Sequence, residues 1–195
     1  MSKAVLISIK PKWCEKIAKG EKTIEVRKTR PKLKPPFKCY IYCSEGNELL
    51  ILKKTQNINL NRKVIGEFEC NCISMLRATN IIQCYYNHNS IATCLTDKEL
   101  LDYANGKNEL YYWNISNLKI YDNPKELSEF QIIDAQKNKS CQYRKRTYQN
   151  PDYTNGAFIY GSYYCKKKDD WCCNCNKKTM KRPPQSWCYV DELEV

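Results

Sequence analysis

The order of elements in the chain predicts an α+β domain: a small, mixed but mostly antiparallel β-barrel flanked by helices. Three observations carry that expectation. Short apolar or alternating runs that read as strands recur over the first two thirds of the chain, only two stretches have helical spacing, and each of these lies between strands. With 195 residues, the chain suits one domain of ordinary size, able to bury about 70% of its unfolded surface without disulfides or metal.

Residues 4–9 (AVLISI) are a short apolar run, as expected of a buried strand. Pro11 stands where a first helical turn would begin, Trp13, Ile17 and Ala18 follow at helical spacing, and Gly20 supplies a left-handed stop. In 22–28 (KTIEVRK), Ile24 and Val26 alternate with Thr23, Glu25 and Arg27, which predicts a half-buried strand with a polar, usable face. Residues 30–37 (RPKLKPPF) carry three prolines and are expected to form a basic loop. Further strands are predicted at 38–44, at 49–53, and at 63–73 with Gly66 marking a bulge.

A helix over 96–105 has Thr96 as its N-cap, Glu99 completing a capping box and Gly106 as its stop. Residues 111–121 read as one long strand closed by a turn at Asp122, Asn123 and Pro124, with Tyr112 and Ile115 pointing inward. After about residue 135 the character changes. The stretch 137–181 is basic, cysteine-rich and poorly periodic, and reads as an insertion in a domain made of 1–136 and 182–195, with a final strand at 186–190.

Lys and Arg total 33 against 21 Asp and Glu, a formal net charge of +12. Such an excess favours a polyanionic partner by long-range attraction, and it equally describes a solvated lysine-rich surface. No stretch approaches the ~20 apolar residues of a membrane span, and MSKAVLISIKPKW has neither the apolar length nor the cleavage site of a signal peptide. The expectation is a cytoplasmic monomer, in a bacterium or a phage-infected host, with no membrane partner. Its thirteen cysteines would then be thiols or metal ligands and not disulfides. His88 is the one histidine, and its polar surroundings (YYNHNS) place it in a turn, so most hydrolase mechanisms built on a histidine have nothing to use.

At residues 6–31, LISIKPKWCEKIAKGEKTIEVRKTRP resembles the opening of the ASCH domain, a member of the PUA-like superfamily. The signature G-x-K-x-x-E-x-R is met by Gly20, Lys22, Glu25 and Arg27. The segments NISNLKIYDNPKELSEF (114–130) and RPPQSWCYV (182–190) resemble parts of ASCH-type proteins from Gram-positive bacteria and their phages. The resemblance implies a PUA-like barrel with a cleft for RNA or a nucleotide, walled by the first helix and the motif strand.

The residue chemistry agrees. Arg grips phosphate bidentately, Lys serves as a point charge, and a carboxylate accepts hydrogen bonds from a base's exocyclic amine. The candidate binding residues are Lys10, Lys22, Thr23, Glu25, Arg27, Arg30 and Trp187, with Trp113 as a second aromatic wall. Alternatively, Glu25 and Arg27 form a surface ion pair of little energetic value.

Some ASCH proteins are amidohydrolases on acetylated cytidine nucleosides, using a Lys, a Thr nucleophile and a Glu. Lys22 stands at the lysine position, but the threonine position holds Glu25, and ahead of the second helix the chain has Thr93 where the family has Glu. That activity is therefore not carried over. A ribonuclease-like or other hydrolase reading would use Lys22 and Glu25 as its catalytic pair.

Cys172 and Cys175 make a C-x-x-C, and with Cys188 and Cys165 (or Cys141) they give a candidate structural zinc site. A lysine-rich insertion with few apolar residues needs a metal or a partner to order it; the alternative is a loop with free thiols. Cys14, Cys39, Cys43, Cys70, Cys72, Cys84 and Cys94 read as core. Aromatics interleaved with cations, as in YRKRTY at 143–148, suit stacking of unpaired bases. Three functional readings follow: an RNA- or nucleotide-binding module, a hydrolase on a nucleoside or RNA, and a phage accessory protein that docks a host protein.

Overall fold

The computed structural model describes residues 2–52, 59–77, 92–133, 144–146, 163–165, 170–171 and 178–193. Strand β1 (Lys3–Ile9) is the spine of the fold. Val5, Ile7 and Ile9 enter the main core while Ala4 and Leu6 enter a second one on the opposite face, so this strand needs the continuous apolar run it has. It pairs in parallel with β3 (Phe37–Cys43) and antiparallel with β13 (Trp187–Asp191), so that Leu6 lies between Tyr40 and Cys188. Outward from β3 follow β4 (Val64–Cys70) and β7 (Ser116–Lys125); outward from β13 follow β8 (Gln131–Ile132) and β12 (Lys178–Thr179).

Parallel pairing of β1 and β3 demands a crossover, and that crossover builds the site. It contains α1 (Pro11–Ala18) and β2 (Ile24–Arg27). Strand β2 pairs with β6 (Glu109–Asn114), which pairs with β5 (Ile73–Arg77), in a separate three-stranded sheet. Helix α2 (Asp97–Ala104) lays Leu100 and Ala104 on Val26, Leu110 and Tyr112 of that sheet. Its start has the expected capping box: Glu99 N donates to Thr96 Oγ1 at 3.2 Å and Thr96 N to Glu99 Oε2 at 2.9 Å. A third sheet joins β9 (Arg144–Arg146), β10 (Tyr163–Cys165) and β11 (Asp170–Trp171). These strands fall within the stretch read as an insertion, and β12 returns the chain to β8, with Met180 buried in the second core beside Phe130.

The fold is α+β and mostly antiparallel, as expected, but the described strands form open sheets and not a closed barrel. Several elements differ from the sequence expectation. Residues 49–52 form no strand, because Asn61 takes the Leu50 amide and donates to the Glu48 carbonyl, holding the segment as a loop. The run 63–73 divides after Cys70, and Cys72 comes out exposed.

The long strand at 111–121 is two strands in two sheets, divided at Ile115, whose amide bonds the Thr23 carbonyl. No turn forms at Asp122–Pro124. Strand β7 runs through them to Lys125, and as the sheet edge it tolerates a proline. Gly66 does sit at a register shift, and a Cβ there would lie 2.4 Å from the Lys119 carbonyl oxygen. Of the other cysteines, Cys14, Cys39, Cys43 and Cys70 are core; Cys94 is half-buried, and Cys84, with His88, lies outside the described residues.

Candidate functional site

Period-two alternation puts Ile24 and Val26 against α2 and turns Glu25 and Arg27 the other way. Between α1 and β2 the chain must reverse sharply. Gly20, at φ +74°, makes that reversal, and the amides of Glu21 and Lys22 bond back to the Lys16 carbonyl. Lys22 is thereby aimed inward.

Lys22, Glu25 and Arg27 are 2%, 6% and 7% exposed, respectively, which is rare for charged residues and demands that each be paired. Glu25 is the shared acceptor: Lys22 Nζ lies 3.5 Å from Oε2 and Arg27 Nη2 is 2.9 Å from Oε1. Lys22 also donates to the Thr93 carbonyl at 2.6 Å and stands 5.4 Å from the Trp13 ring centroid. Burial holds its pKa below the ordinary lysine value, opposed by the Glu25 carboxylate. Arg27 Nη2 donates to the Ser8 carbonyl at 2.6 Å, and Nη1 reaches Ser186 Oγ at 3.5 Å. Among the described residues its buried Nε has no hydrogen-bond partner.

This cluster floors a cleft of about 660 Å³. Trp13 and Lys10 line one side, Glu99, Asp102 and Tyr103 of α2 another, and Pro183–Ser186 close it. Lys10, Lys22 and Arg27 are balanced by Glu25, Glu99 and Asp102, so the cleft itself is close to neutral. Burial raises the Tyr103 pKa, and the Arg27 charge nearby opposes that rise.

Of the residues expected from sequence, Lys10, Lys22, Glu25 and Arg27 come together here. Thr23 is exposed, its backbone tied to Ala92 and Ile115, because β2 starts one residue later. Arg30 is exposed and lies over the Tyr111 ring at 5.9 Å. Trp187 is outside the cleft wall, tilted against Trp113 and edge-on to Tyr189, with its Nε1 donating to Thr29 Oγ1. Trp113 is fully buried core and not cleft wall, since it faces Phe37 across the main core.

Trp13, Tyr103 and the Pro183–Ser186 wall are cleft residues the sequence reading passed over. Helical spacing held a signal for one of them: Glu99 and Tyr103 are four apart on a single helix and so share a face. Among the cysteines read as zinc ligands, Cys172 and Cys175 lie outside the described residues, as does Cys141, and Cys165 ends β10. Cys188 packs against the second core, where burial pushes its thiol up to about 12. A metal bound there would have to displace that proton.

No family model matches the chain, and no curated protein matches it. Among solved structures it is similar to ASCH from Zymomonas mobilis and to two single-residue mutants of that protein, one tyrosine-to-phenylalanine and one serine-to-alanine. The chain resembles solved ASCH structures. Each match has 18% identity and a TM-score of 0.48, and each covers 64% of this chain. The shares of the other chains covered are 73% for ASCH itself and 76% and 74% for the mutants. A likeness of this degree concerns the course of the chain and assigns no residue a role. No helix among the described residues is long and apolar enough to cross a membrane.

Proposed function

We propose that this protein is an RNA- or nucleotide-binding module of PUA-like type, and that its ligand site is the Lys22–Glu25–Arg27 cleft. The observation that carries the reading is a buried, mutually paired charge cluster flooring a cavity with aromatic walls. Burying three charges is costly and is seldom kept for stability alone. Here Trp13 and Tyr103 offer aromatic surface for a planar base, and the Glu25 carboxylate and the Arg27 guanidinium line the cleft as polar groups for its edge. The near-neutral balance of the cleft suits a base or nucleoside more than a run of phosphates.

Calorimetric titration of the four ribonucleosides, their monophosphates and a short ribo-oligonucleotide tests this. Saturable binding is expected, weakened at least tenfold by Glu25→Gln, with thermal melting reporting whether the variant is folded. Binding that a folded Glu25→Gln variant leaves unchanged contradicts the cleft assignment.

A hydrolytic use of the same pair draws on one observation, that burial holds the Lys22 pKa down, where a lysine is useful as a base or nucleophile. Turnover of an RNA or acylated nucleoside that disappears in Lys22→Met while binding persists would favour it. The proposal also includes a structural zinc ion on Cys165, Cys172, Cys175 and Cys188, supported by the C-x-x-C spacing.

A further inference from the structure

Between Glu25 and Glu45 the chain has no acidic residue, yet it carries Arg27, Lys28, Arg30, Lys32, Lys34 and Lys38. The loop joining β2 to β3 displays four of them in a fixed order. Arg30, Lys32 and Lys34 are exposed, while the residues between them turn inward: Pro31 is buried and Leu33 packs on the main core. The loop is also pinned from outside its own apolar anchors. Lys32 N donates to Tyr189 Oη at 2.7 Å, and Trp187 Nε1 donates to Thr29 Oγ1 at 3.0 Å. Lys28 and Arg30 rest over the rings of Tyr103 and Tyr111 at 5.1 and 5.9 Å. None of the four forms an ion pair among the described residues, in contrast to Lys22, Arg27 and Lys38.

This loop begins beside Arg27 in the cleft and ends at a second groove, of about 520 Å³, where Leu33, Lys34 and Pro36 face Lys3 and Lys38 and also the carboxylates of Glu67, Glu69 and Glu192. Two concavities are thus joined by a row of cations with no ion-pair partner among the described residues and at most ~7 Å of backbone between neighbours. A mononucleotide needs no such row. A polymer of regularly spaced negative charge does.

We propose that Lys28, Arg30, Lys32 and Lys34 form a phosphate track for single-stranded nucleic acid, which runs from the cleft along the loop toward the second groove. The cations carry the backbone, and the rings of Tyr103 and Tyr111 hold Lys28 and Arg30 in line along it. It rests on the proposed function only in placing one end of the strand in the cleft.

The test is fluorescence anisotropy with a labelled oligouridine of about twelve nucleotides, within the range of single-strand site sizes, titrated over a series of salt concentrations. Arg30→Gln/Lys32→Gln/Lys34→Gln is compared with a control of equal charge, Lys98→Gln/Lys107→Gln/Lys119→Gln, all six residues being exposed. The track predicts that the loop triple weakens binding at least tenfold and flattens the slope of log K against log salt by about 2, at ~0.7 per lost phosphate contact. The control should change the slope by less than half as much.

Equal losses in the two triples, or no binding of the oligonucleotide, overturn the track. Uridine monophosphate separates this proposal from the cleft reading, because its binding is expected to survive the loop triple and to fail in Glu25→Gln.

Discussion

Lys22 donates its ammonium proton to the carbonyl oxygen of Thr93 at 2.6 Å, across 71 residues of chain. With the Thr23 amide bonded to the Ala92 carbonyl at 2.9 Å, this contact fastens the start of β2 to the segment leading into α2. The same lysine also lines the cleft. A charge so buried has to be matched, and Glu25 matches it.

Replacing Glu25 with Gln leaves Lys22 and Arg27 buried without their shared counter-ion. Loss of one partner from a buried ion pair costs about 3–5 kcal/mol. For a chain of this size that corresponds to a fall in Tm of roughly 6–20 °C, readable by calorimetry. A Tm within a degree or two of wild type would mean that the cluster is far better solvated than its burial indicates.

Gly66→Ala tests the β4–β7 contact. Its Cβ would meet the Lys119 carbonyl oxygen at 2.4 Å and Ile120 Cα at 3.1 Å, both backbone atoms, so relief requires the strands to part. The expected loss is about 1–3 kcal/mol by urea denaturation. A neutral substitution would show that the sheet edge is compliant.

The Tyr121 hydroxyl donates to Glu67 Oε2 at 2.6 Å, and burial, reinforced by that bond, pushes its pKa well up. The folded protein therefore keeps a proton that the unfolded chain releases above about pH 10, and stability falls as pH rises past that point. Tyr121→Phe should cost about 1–2 kcal/mol near neutral pH and flatten the alkaline decline. Parallel pH–stability curves for the two proteins would refute the assignment.

The zinc proposal predicts one zinc ion per chain in native mass spectrometry, lost in Cys172→Ser/Cys175→Ser. Stoichiometric zinc that persists in this double variant would put the metal elsewhere, and a well-folded protein that takes up no zinc would end the proposal.

Local chemistry made much of this architecture readable. Pro11, Gly20 and the Thr96–Glu99 box mark their helices because caps act over three or four residues. Lys22, Glu25 and Arg27 fall together because strand alternation is also local. Ile115 shows where such reading stops: the apolar phase of 111–121 slips at Ser116–Asn117, but that the chain changes sheets there is decided by pairing with residues far away in sequence. Trp113 is similar, since only the arrival of Phe37 and Trp187 makes it core. The wall at Pro183–Ser186 forms because β13 returns to pair with β1, with Ser8 Oγ donating to the Pro184 carbonyl at 2.7 Å and Ser8 N to the Ser186 carbonyl at 2.9 Å.

The most direct test of the cleft is photocrosslinking to RNA containing 4-thiouridine, with the adducts mapped by mass spectrometry. Adducts are expected on Trp13 or Tyr103, competed away by free nucleotide and diminished in Glu25→Gln. Adducts confined to residues outside the cleft, and indifferent to competitor, would contradict it.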